Sequence, residues 1–519
     1  MKLHLSLRRV NLALTVLLIL VMGNQLGFTL AIGKLAVPIT LADVVLGLAF
    51  IGIVIGLLSR GTRGAKLPPL QACFLFAVIL VVFARTQDKA AAVKEVLQFA
   101  EYFLVAFAVF LNAADTADLK LLLYAFVAGT AIVIGWAAVQ YFTVASPLDV
   151  RAGFANRNVL GAYLALALPF LYGLALHARY GSARIGLLVL VALGLLVNLS
   201  GGALLATFLM LLVLSAVRGQ RALVPFLAAT LAVVLLAPTF LPRRHHTDVL
   251  FSSIALSVDD NYLLSDRELV ARARELLHPT HEIVLDHSGE RAMPAPRPLD
   301  ADRLLRLLLE RRRLSRDENA LFAEVQAAIQ ADTTPEQRAN YPLKGPRLAV
   351  RYQRWDAALA CIRSLWRPRG DLRGDPFLGY GLRPYHQVVN PFMTGRLQYR
   401  TDEPEVFNIA TTEPFTHNTW LQAPVQMGLV GFLAVLWLFA TFFGRADSLY
   451  IVARSELMLG LALGATGGIL GFALAGLFTE SLGRGLAIPF VFICSAVVLA
   501  ERIVRGDGKS ALEKLGKYD

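Results

Sequence analysis

Thr416-His417-Asn418-Thr419-Trp420-Leu421-Gln422 closes a long polar segment, and Ala423 to Phe443 follows without one charged side chain. A run of about twenty apolar residues is long enough to cross a bilayer core of about 30 Å as a helix. A histidine therefore stands where the chain re-enters an apolar environment. The rest of the chain can be read outward from that point.

Similar runs recur on both sides of it. Spans are expected at Val10–Leu26, Leu41–Leu58, Leu67–Ala84, Val93–Leu111, Leu119–Phe142, Val159–Ala178, Ile185–Leu199, Ala203–Val217 and Ala222–Leu241. Three more are expected at Leu421–Phe443, Leu457–Phe478 and Leu486–Ala500. The expected fold is all-α: a polytopic membrane protein of about twelve transmembrane helices with a large, mostly helical periplasmic loop. A hydrophobic fraction of 56% and a mean hydropathy of +0.57 agree with that class. A β-barrel would need alternating segments of about ten residues, and the sequence has none. Lys2, Arg8 and Arg9 precede the first run, which reads as an uncleaved first helix. Between Ile185 and Val217 only Asn198-Leu199-Ser200-Gly201-Gly202 interrupts, so two short helices joined by a tight turn are expected.

The chain divides accordingly. Residues 1–241 hold spans one to nine, 242–416 the outer loop, 417–501 the last three spans and 502–519 a basic tail. Formal net charge is +12. Basic patches with interleaved aromatics are absent, so nucleic acid is not an expected partner. The excess lies mostly in loops on one side, such as Arg60, Arg63 and Lys66, Arg179 and Arg184, Arg218 and Arg221, Arg445 and Arg454. That side should be cytoplasmic in the inner membrane, with both termini inside and 242–416 outside. In the outer loop, Leu263–Leu277, Asp300–Leu314 and Asn319–Gln330 read as amphipathic helices, and Gly370 to Thr412 as irregular. The three cysteines offer no disulfide framework or zinc spacing.

Three constellations could carry chemistry. Arg347, Arg351 and Arg354 share one helical face beside a stripe of Leu348, Tyr352, Trp355, Leu359, Ile362 and Trp366. Forked guanidinium donors suit a diphosphate. Taken alone, the triad fits equally a solvated face or pairing with lipid or loop acids. His417 could act as a base near neutral pH, or be an interfacial polar residue. Arg151-Ala152-Gly153-Phe154-Ala155-Asn156-Arg157-Asn158 precedes a helix, where Asn156 or Asn158 could cap it and the arginines could meet an anion. His278, His281 and His287 have a loosely metal-like spacing without a shaping motif, so no metal or other cofactor is expected.

Together these pieces resemble the O-antigen ligase and O-antigen polymerase family of bacterial glycan-assembly enzymes. Gly153 to Asn158, running into a helix with Pro169, is similar to that family's Gly-x-x-Asn-Pro-Asn segment. Arg351-Tyr352-Gln353-Arg354-Trp355 followed by Gly379-Tyr380-Gly381 resembles its loop signature. His417-Asn418-Thr419-Trp420-Leu421, with Gly428 and Gly431, resembles its His-Asn-x-x-Leu motif. The chain departs from the pattern at Arg157 for Pro, Gly201 for an arginine and Gln426 for a frequent Glu.

The resemblance implies inverting, metal-independent glycan transfer from undecaprenyl diphosphate at the outer face of the inner membrane. His417 would be the base and Arg351 a diphosphate ligand. Arg151, Arg347, Arg354, Asn156, Asn158 and Asn418 would line the substrate site. With glycine at 201, Arg354 or Arg157 would have to substitute. The acceptor would be lipid A core, in O-antigen ligation, or a growing glycan, in O-antigen or exopolysaccharide polymerisation. A membrane transporter and a non-catalytic glycan-assembly partner are the alternatives of other classes.

Overall fold

The computed structural model describes residues 2–23, 27–32, 35–60, 70–86, 89–143, 150–154, 156–219, 223–230, 347–366, 374–382, 388, 418–479, 482 and 486–515. Helices α1 (Lys2–Val21), α2 (Leu41–Arg60), α3 (Leu70–Arg85), α4 (Lys89–Asn112), α5 (Thr116–Thr143), α6 (Arg157–Leu176), α7 (Gly181–Val197) and α8 (Gly201–Arg218) come first. A helical stretch at 223–230 follows, then α9 (Arg347–Trp366), α10 (Thr419–Val452), α11 (Glu456–Ala475) and α12 (Ala487–Leu515). Among the described residues, seven helices contain a stretch long and apolar enough to cross a membrane: α4, α5, α6, α8, α10, α11 and α12. Leu41–Ile55, α3 and α7 are shorter apolar helices. The expected helices at Leu263–Leu277, Asp300–Leu314 and Asn319–Gln330 lie outside the described residues, as do His278, His281 and His287.

Among the described residues one two-stranded hairpin accompanies the helices. The first helix ends at Val21, and β1 (Gly27–Ile32) pairs antiparallel with β2 (Leu35–Thr40). Ile32 faces Leu35, so only Gly33 and Lys34 connect the strands, a length that favours hairpins. Pro38 is tolerated because a two-stranded sheet is all edge. Thr40 and Asp43 then close α2 reciprocally: Thr40 N donates to Asp43 Oδ2 at 2.6 Å, and Asp43 N to Thr40 Oγ1 at 3.3 Å. The interruption at 198–200 is indeed a turn between α7 and α8.

Helix α6 is the centre of the bundle. Every side chain from Val159 to Leu176 is buried. Water does not drive helices together inside lipid, so packing must, and small residues let backbones approach. Helix α11 supplies them at Gly460, Gly464, Gly467, Gly468 and Gly471. A Cβ at Gly464 would strike the carbonyl of Phe170, and one at Gly471 the carbonyl of Ala165. At Gly468 it would stand 2.8 Å from Leu166 O. The obstacle is backbone each time, which cannot rotate away.

Ion pairs tie the arginine-rich end. Arg8 reaches Asp118 at 2.5 Å, and Arg445 and Arg505 hold Glu501 at 3.0 and 2.5 Å. Inside, Asn11 Nδ2 donates to Gly52 O at 3.0 Å and Asn112 Nδ2 to Thr15 Oγ1 at 3.0 Å, joining α1 to α2 and α4.

Gly464→Val should therefore force α6 and α11 apart and destabilise the protein by about 1–3 kcal/mol or more. Gly186 on α7 meets nothing within 4 Å of an added Cβ. Gly186→Ala should be neutral or stabilising by up to about 1 kcal/mol. Thermal unfolding in one detergent distinguishes the two.

Candidate functional site

The end of the bundle opposite the arginine-rich one gathers the starts of α6, α8 and α10, the last turns of α11, and helix α9. At α6, Ala152 and Gly153 adopt left-handed φ of 46° and 85°. Gln140 of α5 fixes this turn, its Oε1 accepting from the amides of Arg151 at 2.9 Å and Ala152 at 2.7 Å. Asn156 is the cap: its Oδ1 accepts from Asn158 N at 2.9 Å and Val159 N at 3.1 Å. That frees Asn158, whose Oδ1 accepts from Ser200 Oγ at 3.1 Å. The Gly153–Asn158 segment is thus joined to the α7–α8 turn. Gly161 permits the approach, since a Cβ there would come 2.5 Å from the Ser200 Cβ. Arg151 is exposed and Arg157 half-buried.

Helix α8 starts at the position where the family pattern has arginine. Ser200 precedes it without capping it through its side chain. Asn198 folds back instead, its Oδ1 accepting from Ser200 N at 3.3 Å. Gly202 lies flat against the Phe478 ring. Phe478 in turn faces Trp355 of α9, ring centroids 6.5 Å apart.

Asn418 begins α10 by accepting from Trp420 N at 2.9 Å and Leu421 N at 3.1 Å. Thr419 ties this start to α11's end, its N donating to Gly476 O at 2.8 Å and its Oγ1 to Thr479 O at 3.2 Å. Trp420 Nε1 reaches Ala473 O at 2.9 Å, and Gln422 Nε2 reaches Gln426 Oε1 at 3.4 Å. His417 itself lies outside the described residues, one peptide bond before this anchored start.

Helix α10 is broken at Gly428, which has φ 64° and ψ −164°. The Pro376–Gly381 turn enters the break. Leu429 N donates to Pro376 O at 3.0 Å and Val430 N to Phe377 O at 3.1 Å. Val425 O and Gln426 O accept from Tyr380 N at 2.9 Å and Gly381 N at 3.1 Å. An unbroken helix would have paired these four helix groups with one another. A Cβ at Gly379 would stand 2.6 Å from Gln426 O, so only glycine allows the insertion. The turn is also fastened to α3: Arg85 Nη1 meets Asp375 Oδ2 at 2.8 Å, and Leu382 N donates to Thr86 Oγ1 at 3.0 Å. Burial alone would raise the Asp375 carboxyl. The Phe377 amide, the Arg85 guanidinium and the Leu378 amide outweigh it and hold the carboxyl below its usual value.

Helix α9 rests on this turn. Ala357, Ala358, Cys361, Ser364 and Leu365 are buried with Tyr380, Val388 and Val425, while Leu359 and Trp366 are exposed. Of the expected stripe, Ile362 packs against this cluster and Trp355 is half-buried. Alanine and cysteine pack closer to Tyr380, and Ser364 Oγ shares a hydrogen with Tyr380 Oη at 2.5 Å. Burial pushes the Cys361 thiol up to about 12, so it remains a thiol. Positions 351 and 354 precede Ala358 and Cys361 by two turns of α9.

Among the described residues the structure joins Asn158, Ser200, Phe478, Trp355, Thr479, Thr419 and Asn418 into one chain of contacts. Sequence reasoning missed Asn198 as more than a turn residue, and Gln140, Phe478 and Asp375 altogether. Their partners are distant in sequence, so no local spacing signals them. His177 lies at the other end, buried beside Tyr450. Among the described residues no group of three His, Cys, Asp or Glu side chains could hold a metal ion. No protein-family model matches the chain, and no curated protein matches it.

The inserted turn makes a direct prediction. Gly379→Ala should expel it from α10 and release α9, since the carbonyl of Gln426 cannot yield. Asp375→Asn keeps acceptors for the Phe377 and Leu378 amides but loses the ion pair, and should be far milder. Limited proteolysis of the outer segment in detergent should show fast cleavage for the first variant and near wild-type cleavage for the second.

Proposed function

We propose that the chain transfers a glycan from undecaprenyl diphosphate to an acceptor hydroxyl at the periplasmic face of the inner membrane. In this reading it crosses the membrane twelve times, both termini are cytoplasmic and 242–416 is periplasmic, as the bias of Lys and Arg suggests. O-antigen ligation to lipid A core is the leading form. Polymerisation of O-antigen or exopolysaccharide uses the same donor and chemistry with a growing glycan as acceptor.

One observation carries the reading. Four segments singled out for separate reasons lie at one end of the bundle, linked through Asn158–Ser200, Gly202–Phe478, Phe478–Trp355 and Thr419–Thr479. A lipid-linked donor needs such a site, because its tail belongs in the bilayer and its glycan in water.

The chemistry follows from residue types. In the proposed step, neutral His417 takes the proton of the acceptor hydroxyl. That oxygen bonds to the anomeric carbon from the face opposite the leaving group. The carbon–oxygen bond to the diphosphate breaks, and undecaprenyl diphosphate departs with the electron pair. Arg351, with Arg347 and Arg354 on the same helix, meets the growing negative charge with forked donors. Arg151 and half-buried Arg157 stand at the neighbouring α6 start, where the pattern's arginine at 201 is missing. Asn156 and Asn418 spend their Oδ1 atoms on caps and serve by fixing the backbone around the site.

A transporter would use a broken helix to offer backbone groups to its cargo. Helix α10 is broken, yet Pro376–Gly381 occupies the groups nearest the break. The break therefore does not favour transport.

His417→Ala should leave the protein folded and able to bind undecaprenyl diphosphate, but lower transfer by about 10²–10⁴-fold. His417→Gln, which keeps a hydrogen bond without basicity, should be nearly as poor. Arg351→Lys keeps the charge, loses the fork and should also impair transfer. Turnover and donor binding are measured on the same purified variants. Wild-type turnover in His417→Ala would remove the residue from the mechanism. A deletion strain separates the acceptors: polymer accumulating on carrier with uncapped core indicates ligation, and a single repeat on core indicates polymerisation.

A further inference from the structure

At the arginine-rich end, three guanidiniums gather around one carboxylate. Glu501 of α12 is buried, and it holds Arg445 of α10 at 3.0 Å and Arg505 at 2.5 Å. Arg502 is half-buried, and its guanidinium lies over the Phe110 ring of α4, 4.9 Å from the centroid. It feels the repulsion of Arg445 and the attraction of Glu501. Among the described residues no carboxylate stands within ion-pair distance of Arg502. Asp447, two positions past Arg445, is exposed on another side of α10. The cluster thus keeps two positive charges that its own acid does not match.

Surplus arginine is ordinary at such a boundary, where it sets orientation and sits in water. Arg502 differs, because it is partly withdrawn from water and laid on an aromatic ring. A cation held that way beside a like charge costs free energy unless an anion joins the two.

The same helices enclose an apolar space. A partly open, almost wholly apolar cavity of about 70 Å³ lies between α3, α4, α10 and α12. Tyr102, one of its few polar neighbours, spends its hydroxyl on Leu482 O at 2.9 Å. Water needs several polar partners to stay in such a space, so hydrocarbon suits it better. One water needs about 10–15 Å³, and this cavity has room for part of a hydrocarbon chain.

Cavity and arginines share their walls. Phe110 lines the cavity and also carries Arg502. Phe442 lines it one turn before Arg445 on α10. Cys494 and Ser495 line it two turns before Glu501 and Arg502 on α12. Residues three, four and seven apart share a helix face, so the faces that wall the cavity end in the arginines. An apolar recess that ends in surplus positive charge complements a molecule with a hydrocarbon chain and a phosphate.

We propose that α4, α10 and α12, with α3 closing the cavity, bind an anionic phospholipid from the leaflet at the arginine-rich end. Its phosphate meets Arg445, Arg502 and Arg505, and one acyl chain enters the cavity. Basic pockets between membrane helices hold anionic headgroups in this way. The apolar wall selects a lipid over a free anion, and the unmatched charge selects an anionic lipid over a zwitterionic one. The proposal is independent of the transfer reading.

The test titrates the full-length chain, purified in detergent, with phosphatidylglycerol, phosphatidylcholine and glycerol phosphate. Wild type should bind phosphatidylglycerol at least about tenfold more tightly than either of the others. Arg502→Gln and Arg505→Gln should each weaken phosphatidylglycerol about fivefold and leave phosphatidylcholine within about twofold. Ala72→Leu extends a half-buried side chain of the cavity wall, and should weaken phosphatidylglycerol by a similar factor. Thermal unfolding without lipid checks the fold of each variant. The Arg505 side chain is 71% exposed, so its variant should unfold as wild type does. Equal binding of the two lipids would overturn the proposal. Glycerol phosphate binding as tightly as phosphatidylglycerol would overturn it as well, leaving a plain anion site. An unchanged preference in both arginine variants would take the headgroup away from this cluster, and full-strength binding in Ala72→Leu would take the acyl chain out of the cavity.

Discussion

The backbone contact between α6 and α11 sets the distances on which everything else depends. Helix α6 exposes no side chain from Val159 to Leu176, and glycines at 464, 468 and 471 of α11 allow its carbonyls to approach. Neither helix has a side chain at these points that could adapt. The outer ends of the two helices are therefore fixed relative to one another. One end carries Asn156 and Asn158, the other Phe478 and Thr479. Through Ser200 and Thr419 these residues hold the starts of α8 and α10. A widening of the central contact would be felt as a widening of the site.

A second constraint joins the Pro376–Gly381 turn and α9 to this frame. A helix normally satisfies its own backbone, so a loop touching it has only side chains to grip. Here Gly428 opens α10, and Pro376–Gly381 takes over four of its hydrogen-bonding groups. The attachment is to backbone, so it resists side-chain motion. Tyr380 then serves as a platform for α9 through Val425, Cys361 and Ser364. The arginine positions of α9 are thus carried on a support built from the broken helix. The same helix begins at Asn418, next to His417. Base and diphosphate ligands of the proposed reaction are referred to one element.

Much of the fold was legible because period and length signal helices in apolar sequence. Val159–Ala178 and the turn at Asn198–Gly202 are examples, since an uncharged run and a Gly-Ser interruption leave little choice. The hairpin at Gly27–Thr40 was not. Its strands are as apolar as the helices beside them, and only the short Gly33-Lys34 connection distinguishes them. The packed face of α9 was legible in part: Ile362 packs as the stripe suggested, while Leu359 and Trp366 are exposed and Ala357, Ala358 and Cys361 pack against Tyr380. Of the site, single motifs were visible while their joints were not. Asn158 with Ser200 and Arg85 with Asp375 are separated by 42 and 290 positions, and such pairs leave no local pattern.

Charge is distributed along the site in a way that fits a substrate with two unlike parts. The arginines belong to α9 and to the α6 start, whereas Phe478 meets Gly202 and the Trp355 ring. Glycine at 202 lets the Phe478 side chain pack against the start of α8. Loss of the pattern's arginine need not mean loss of function. In the proposed reading the anion's partners are then Arg351 and its neighbours on α9, with Arg151 and Arg157 at the α6 start.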